Sequence, residues 1–350
     1  MKIHSSMIRK FWSQIRTLLV IRQMSLIKKC LPVEQFKSDQ VKNILIIRLD
    51  KVGDLILSTP VFQNLKNNLP GARITALVRK YNSGVLKNNP FVDEVLIYDK
   101  IEERRKAQNG GFDMAIDLIY DFNLESALAC YNSGASFRVG YKDKYSAYFY
   151  NIEAEKDPSP KYELQRNLDI LKYLRMSIDC EASRLFPSQE EIRECFNFIK
   201  SLNIEEKAIT IGINPGTGRR RREWPLEKYV ELGKRLVLNK NARILVTWGE
   251  KDKSLAQKLV QKIGPGACLA PGTNITSLAA LLTFCDVFIC GNTGPSHIAM
   301  AMKVPLVGLY GKNDDLNWTP EKKDNIAVVS ADKCSLIQVS DVIKGVEKFL

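Results

Sequence analysis

One stretch, DVFICGNTGPSHIAMAMKVPLVGLYG from Asp286 to Gly311, narrows the choice of folds more than any other. Val287 to Cys290 is a short apolar run suited to a strand buried on both faces. Gly291, Asn292, Thr293 and Gly294 break it, and Pro295 stands where a helix can begin without losing a needed amide donor. Ile298, Ala299, Ala301 and Met302 give that helix a small apolar face, and Pro305 opens the next buried strand, LVGLY. A Gly-rich turn feeding a helix start presents backbone amides and the positive end of the dipole, which suits a phosphate. His297, one of only two histidines, lies in the first turn. Alone, the loop describes a βαβ unit of any α/β protein, with His297 an ordinary helix-start residue.

The rest of the chain repeats the pattern. Strands are expected at Asn43–Leu49, Arg73–Val78, Glu94–Tyr98 and Asp113–Leu118, with helices after the first and last of them and a break at Pro60. Tyr141–Lys161, with four tyrosines and a DPSP turn, fits neither period. Two helices follow, Tyr162–Met176 and Gln189–Leu202, and strand–helix alternation resumes at Ala208–Ile213 and Arg243–Thr247. A strand near Ile326–Val329 and a helix over Asp341–Leu350 close the chain. Such alternation is the mark of doubly wound parallel sheets, and 350 residues accommodate two of them. Ligands of paired sheets bind at the carboxyl ends of the strands.

Four loops fall at such ends. LDKVGDLILSTP places Gly53 in a tight turn and Asp54 at or just before a helix start, where a carboxylate serves as an N-cap or stands at the cleft to take a proton. INPGTGRRRREWP sets four arginines between a Gly-containing turn and a Trp-Pro helix start; the run reads as solvated, as a nucleic-acid patch, or as guanidinium groups gripping a diphosphate. In TWGEKDK, Glu250 or Asp252 can accept from ribose hydroxyls, or each simply begins a solvated helix. GNTGPSH is the fourth.

Residues 1–40 stand apart. No acidic residue precedes Glu34, while Ile8, Phe11, Trp12, Ile15, Leu18 and Leu19 share a helical face of about 120° opposite Arg9, Lys10 and Arg16. The uncharged run between Arg16 and Arg22 is too short to span a bilayer or to form a signal-peptide core. A basic amphipathic helix on an anionic membrane is expected, with docking on the protein's own surface as the alternative. The net charge of +13 favours acidic partners, and eight scattered cysteines without a CxxC pair point to a reduced compartment.

Taken together, these segments resemble glycosyltransferase family 9, the heptosyltransferase-type enzymes of GT-B fold. GNTGPSHIAMAMKVPLVGLYG looks like that family's [DN]-[ST]-G-x-x-H-[LI]-A signature. RLDKVGDLILSTPVFQNLKNNLPGARITALV is similar to its N-terminal segment, with Asp54 at the family's proposed catalytic base. INPGTGRRRREWPLEKYVELGKRL resembles its phosphate loop, where Thr217, Gly218 and Arg222 fall on nucleotide-contacting positions, and FDMAIDLIYDFNLESALACYNSGASFRVGY matches the run before its linker. Two departures stand out: Asn292 where Asp is usual, and Arg222 where Lys is usual.

Residues 1–40, the N-terminal extension, match nothing in the family's shared core; beyond them the resemblance implies two Rossmann-like domains across a cleft, an acceptor domain over 41–185 and a nucleotide-sugar domain over 186–335, with a last helix over 336–350 that returns toward the N-terminal domain. It implies inverting transfer, without cofactor, of heptose from ADP-heptose to a lipopolysaccharide-core saccharide. Asp54 would be the base, and Thr217, Gly218, Arg222, Glu250, Asn292, Thr293, Gly294, Pro295 and His297 would hold the donor. No DxD occurs to carry a metal. The absence of GxGxxG and GxxxxGK[ST] argues against a dehydrogenase and a P-loop kinase. The basic residues lack interleaved aromatics, so nucleic acid is not an expected partner. A cytoplasmic protein at the inner membrane face is the corresponding location, with residues 1–30 against the bilayer.

Overall fold

The computed structural model describes residues 15–21, 40–159, 161–202, 209–218, 220–312, 317–320 and 324–350. Two six-stranded sheets, parallel throughout, organise it. The first contains β1 (Asn43–Arg48), β2 (Arg73–Val78), β3 (Glu94–Ile97), β4 (Met114–Asp117), β5 (Phe137–Tyr141) and β6 (Ile152–Ala154), in the order β3-β2-β1-β4-β5-β6. The second contains β7 (Thr210–Asn214), β8 (Arg243–Val246), β9 (Ala267–Leu269), β10 (Val287–Gly291), β11 (Leu306–Gly311) and β12 (Ile326–Ala331), in the order β12-β11-β10-β7-β8-β9. Each sheet therefore runs third, second, first, fourth, fifth, sixth. Strand order reverses between β1 and β4 and between β7 and β10, and such switch points open crevices for ligands.

The central strands are buried on both faces, as their continuous apolar runs require: Ile44 to Ile47 are fully enclosed, and so are Val287 to Cys290. Helices cover both faces: α2 (Val52–Leu57), α3 (Thr59–Asn68), α4 (Ile101–Asn109), α5 (Leu124–Asn132), α6 (Glu163–Tyr173), α7 (Gln189–Ser201), α8 (Leu226–Lys240), α9 (Lys253–Ile263), α10 (Ile275–Leu282), α11 (Gly294–Ala301) and α12 (Val339–Glu347). Pro60, in the first turn of α3, accounts for the break between α2 and α3. Helix α6 packs on α2 and α3, whereas α7 packs on α10, so the chain changes domain between them. Asn64 ties down this crossing, donating to Cys180 O at 2.7 Å and accepting from the Asp179 amide at 2.8 Å.

Three placements differ from or extend the sequence reading. Tyr141–Lys161 holds the end of β5, a 3₁₀ turn at Ser146–Tyr148 and β6, and its aromatic content is core: Tyr141, Phe149 and Tyr150 are buried, with the Tyr150 hydroxyl donating to Asp117 at 2.7 Å. Helix α12 does not return to the N-terminal domain. Val339, Val342 and Val346 bury against the second sheet, and Gly345 lets α12 approach Val307 so closely that a Cβ there would lie 3.1 Å from its Cγ1.

The third concerns residues 15–21, which are helical (α1). Thr17 and Ile21 are buried, and Ile21 joins a cluster with Leu45, Ile47 and Leu124. Leu18 and Leu19 point outward, 52% and 58% exposed. The helix thus docks through a face adjacent to the expected stripe and leaves part of that stripe uncovered. Ile8, Phe11 and Trp12 lie outside the described residues. Among the described residues no helix is long and apolar enough to cross a membrane.

Candidate active site

The two switch points face each other across a cavity of about 640 Å³. Its N-terminal wall is the start of α2, Lys51 to Asp54, together with Tyr81. Its C-terminal wall is Arg221 and Arg222 after β7, Trp248 and Gly249 after β8, Thr273, Asn274, Ile275 and Leu278 at the start of α10, and Asn292 to Pro295 with His297 and Ile298 after β10. Helices α2 and α11 both begin at this cavity, so the positive ends of two helix dipoles converge on it.

Asp54 is the third residue of α2 and not its N-cap. Its Oδ2 accepts the Lys51 amide at 3.2 Å, the backward-reaching half of a capping box. The other oxygen lies 3.8 Å from Nη2 of Arg48, and the side chain is only 11% exposed. Arg48 ends β1 and is fully buried. Its Nε faces Asp50 at 2.9 Å, close but poorly aligned for a hydrogen bond, and its Nη2 meets Glu163 at 3.1 Å. Its Nη1 donates to Asn167 Oδ1 at 3.1 Å and to Leu118 O. Three carboxylates thus share one guanidinium. Burial raises the Asp50 carboxyl, with Asp54 and Glu163 pushing the same way against Arg48, and burial likewise raises Glu163.

On the opposite wall, Arg222 Nη1 donates to Asn292 O at 2.8 Å, fixing the arginine over the loop that starts α11. Thr293 is the N-cap of α11, but its hydroxyl donates to Gly291 O at 3.3 Å and not to the helix. Pro295 has no amide hydrogen, and the Ser296 amide is taken by Thr293 O at 3.1 Å. An anion here would therefore depend more on the Arg222 guanidinium and the helix dipole than the glycine-rich spelling suggests. His297 is 3% exposed, and its Nδ1 has no hydrogen-bond partner among the described residues. Burial, reinforced by Arg222 and opposed by Asp54, pushes the imidazole down to about 4, so it is neutral at physiological pH.

Asp54, Arg222, Asn292, Thr293, Gly294, Pro295 and His297 all line the cavity. Thr217, Gly218 and Glu250 do not. Gly218 is exposed, and Glu250 begins an exposed 3₁₀ turn one residue beyond the lining Gly249. Thr217 sits beside the end of β10, its methyl 3.9 Å from where a Gly291 Cβ would stand.

Sequence reasoning did not reach Arg48, Glu163 or Trp248. A charge closing an otherwise apolar strand was the available signal for Arg48. Glu163, 115 residues away, offered none. Trp248, held by its Nε1 on Ala270 O at 2.9 Å, follows a strand directly, as a ligand-facing aromatic would.

Comparison with known proteins decides the family. Residues 102–343 match the model of Glycosyltransferase family 9 (heptosyltransferase). The chain belongs to glycosyltransferase family 9. It is 23% identical to the lipopolysaccharide core heptosyltransferase OpsX of Haemophilus influenzae, over 82% of this chain and 84% of that protein. It is 22% identical to lipopolysaccharide heptosyltransferase 3 of Escherichia coli K12, over 85% and 95% respectively. Among solved structures, a family 9 glycosyl transferase from Veillonella parvula superposes with a TM-score of 0.80 at 20% identity, covering 88% of this chain and 97% of that one. The E. coli ADP-heptose lipopolysaccharide heptosyltransferase II gives 0.73 at 20% identity, over 88% and 98%. This family 9 chain is a glycosyltransferase of GT-B fold, with the cavity between its two Rossmann-like halves.

Proposed function

We propose that this family 9 enzyme transfers heptose from ADP-heptose to a saccharide of lipopolysaccharide-core type, with inversion and without a metal. The observation that carries the reaction type is the placement of Asp54 and Arg222 on opposite walls of one cavity. Asp54 takes the proton of the acceptor hydroxyl as its oxygen forms the new bond to the anomeric carbon. The bond from that carbon to the diphosphate breaks on the opposite face, and its electron pair leaves with the diphosphate. Arg222 and the start of α11, from Asn292 to His297, stabilise the departing charge, with the neutral His297 contributing packing and a ring N–H and no positive charge. Thr217, Gly218 and Glu250 stand outside the cavity lining and are given no role in this reading.

The donor and acceptor classes draw support from the relatives, which are named lipopolysaccharide heptosyltransferases. A solved neighbour, E. coli heptosyltransferase WaaC, 19% identical with a TM-score of 0.67, is titled with ADP-2-deoxy-2-fluoro heptose. Outward-facing Leu18 and Leu19 beside Arg16 support contact with an anionic membrane, which would place the enzyme on the cytoplasmic face of the inner membrane.

The test is transfer from ADP-heptose by Asp54→Asn and Arg222→Ala. Loss of the base lowers turnover by about 10²–10⁴-fold with donor binding kept. Loss of Arg222 weakens binding of ADP more than of adenosine, because guanidinium contacts go to phosphate oxygens. Wild-type turnover by Asp54→Asn would remove it from the mechanism.

A further inference from the structure

We propose that Arg48 is a positioning residue for Asp54: its buried guanidinium fixes the orientation of that carboxylate beside the cavity. The inference rests on the reading of Asp54 as base but concerns a different residue, one that does not line the cavity.

Both terminal nitrogens of the guanidinium are hydrogen-bonded. Nη1 is held by Leu118 O and by Asn167 at 3.1 Å, Nη2 by Glu163 at 3.1 Å, and Nε faces Asp50 at 2.9 Å. Asn167 also donates to Leu57 O at 3.1 Å, the last residue of α2. Arg48 therefore meets α2 at both ends, through Asp54 at its start and through Asn167 at its finish. A fork with fixed partners holds a direction that a flexible lysine would not.

The charge arithmetic points the same way. One guanidinium faces three carboxylates, too few positive charges to keep all of them ionised in a desolvated wall. Burial pushes Asp50 and Glu163 toward holding a proton, so they compete less with Asp54 for the guanidinium. The groups facing Asp54 are Arg48 on β1, Asp50 on the loop, Tyr81 on the same cavity wall, Glu163 on α6 with Arg166 at 3.6 Å behind it, and the neutral His297 on α11 with Arg222 beyond. Arg48 is the nearest full positive charge among them.

The test is carboxyl ¹³C titration of the full chain labelled with [¹³C]aspartate, the Asp54 signal being identified by its loss in Asp54→Asn. Arg48→Met, which removes the facing cation, should move the Asp54 titration to higher pH, and Arg48→Lys, which keeps a cation without the fork, should move it less, a graded order that a general loosening would not produce. An Asp54 titration unmoved in both variants overturns the proposal. If Arg48→Met does not fold, the Arg48→Lys titration decides alone. The acid limb of transfer from ADP-heptose should move with the titration. A titration that moves while the limb does not sinks the base assignment of Asp54 and leaves the Arg48 assignment standing.

Discussion

The imidazole of His297 occupies the space that a side chain on Gly53 would need. A Cβ built there would lie 2.5 Å from Cδ2 and 3.0 Å from Nε2 of the ring. Gly53 is not in the left-handed region, so its backbone would accept any residue. The glycine expected to serve a tight turn serves instead the close approach of α2 and α11, one from each domain, whose starts form the cavity.

Gly53→Ala tests that contact. The ring is 3% exposed and meets Trp318 edge-on at 5.9 Å, so it has little room to swing away. Overpacking of this kind costs about 1–3 kcal/mol. Denaturant unfolding should register the loss, and His297→Ala placed in the same chain should recover most of it. Equal stability of Gly53→Ala and wild type would mean that the two helix starts move apart freely.

His297 also gives a pH dependence with a definite sign. Its folded value, about 4, lies below the ordinary 6.5, so between them the unfolded chain takes up a proton that the folded protein refuses. Stability from this group is therefore present above 6.5 and lost as pH falls toward 4. Asp50 and Glu163, both raised, act in the opposite sense: their contribution falls as pH rises. The whole-protein profile mixes these terms, so the informative quantity is the difference from His297→Gln. Wild type should lose up to about 3 kcal/mol relative to the variant across the window, measured by urea unfolding at a series of pH values. A flat difference would mean that the ring is solvated.

Much of this architecture was legible because parallel strands buried on both faces must be continuous apolar runs, and each of β1, β2, β7, β10 and β11 is one. The strands that were not read are β5, β6 and β9: β6 and β9 have three residues each, too few for a period to register, and in β5, FRVGY, Arg138 and Gly140 interrupt the apolar run. The cavity residues on the loop after β10 were legible because their spacing is local. The Arg48 cluster was not, since Glu163 and Asn167 reach it from α6 across more than a hundred residues. A sequence shows a lone charge in a strand, but not the partners folding brings to it.

Glu191 links the two halves. Its carboxylate accepts the Ser188 amide at 2.8 Å and the Thr276 hydroxyl at 2.7 Å, and pairs with Lys87 at 3.0 Å. Lys87 belongs to the first domain and Thr276 to the second. Burial pushes the carboxyl up, but the amide, the hydroxyl and the ammonium outweigh it and bring it down to about 2. Its contribution is thus present above the ordinary 4.5 and lost as pH falls from there toward about 2. Glu191→Gln should cost about 1 kcal/mol and Glu191→Ala about 2–3, because the second also loses the cap and leaves buried donors unsatisfied. An Ala variant as stable as wild type in guanidinium unfolding at neutral pH would show that solvent already satisfies those donors.

The membrane contact is tested best without cutting the chain. Removing everything before Ser38 also removes Ile21, which is 9% exposed and packs with Leu45 and Ile47, and loss of such a residue costs about 2 kcal/mol or more. A truncated chain that fails to bind vesicles would therefore be ambiguous between a lost surface and a loosened domain. Leu18→Ser with Leu19→Ser avoids this, since both side chains are more than half exposed and their loss should leave the melting temperature within about a degree of wild type. If these leucines enter a bilayer, the double variant should sediment far less with vesicles containing anionic lipid. Added salt should weaken the wild type as well, because Arg16 and its basic neighbours act through screened charge. Equal sedimentation of wild type and double variant, at matched melting temperature, would assign Leu18 and Leu19 to another partner.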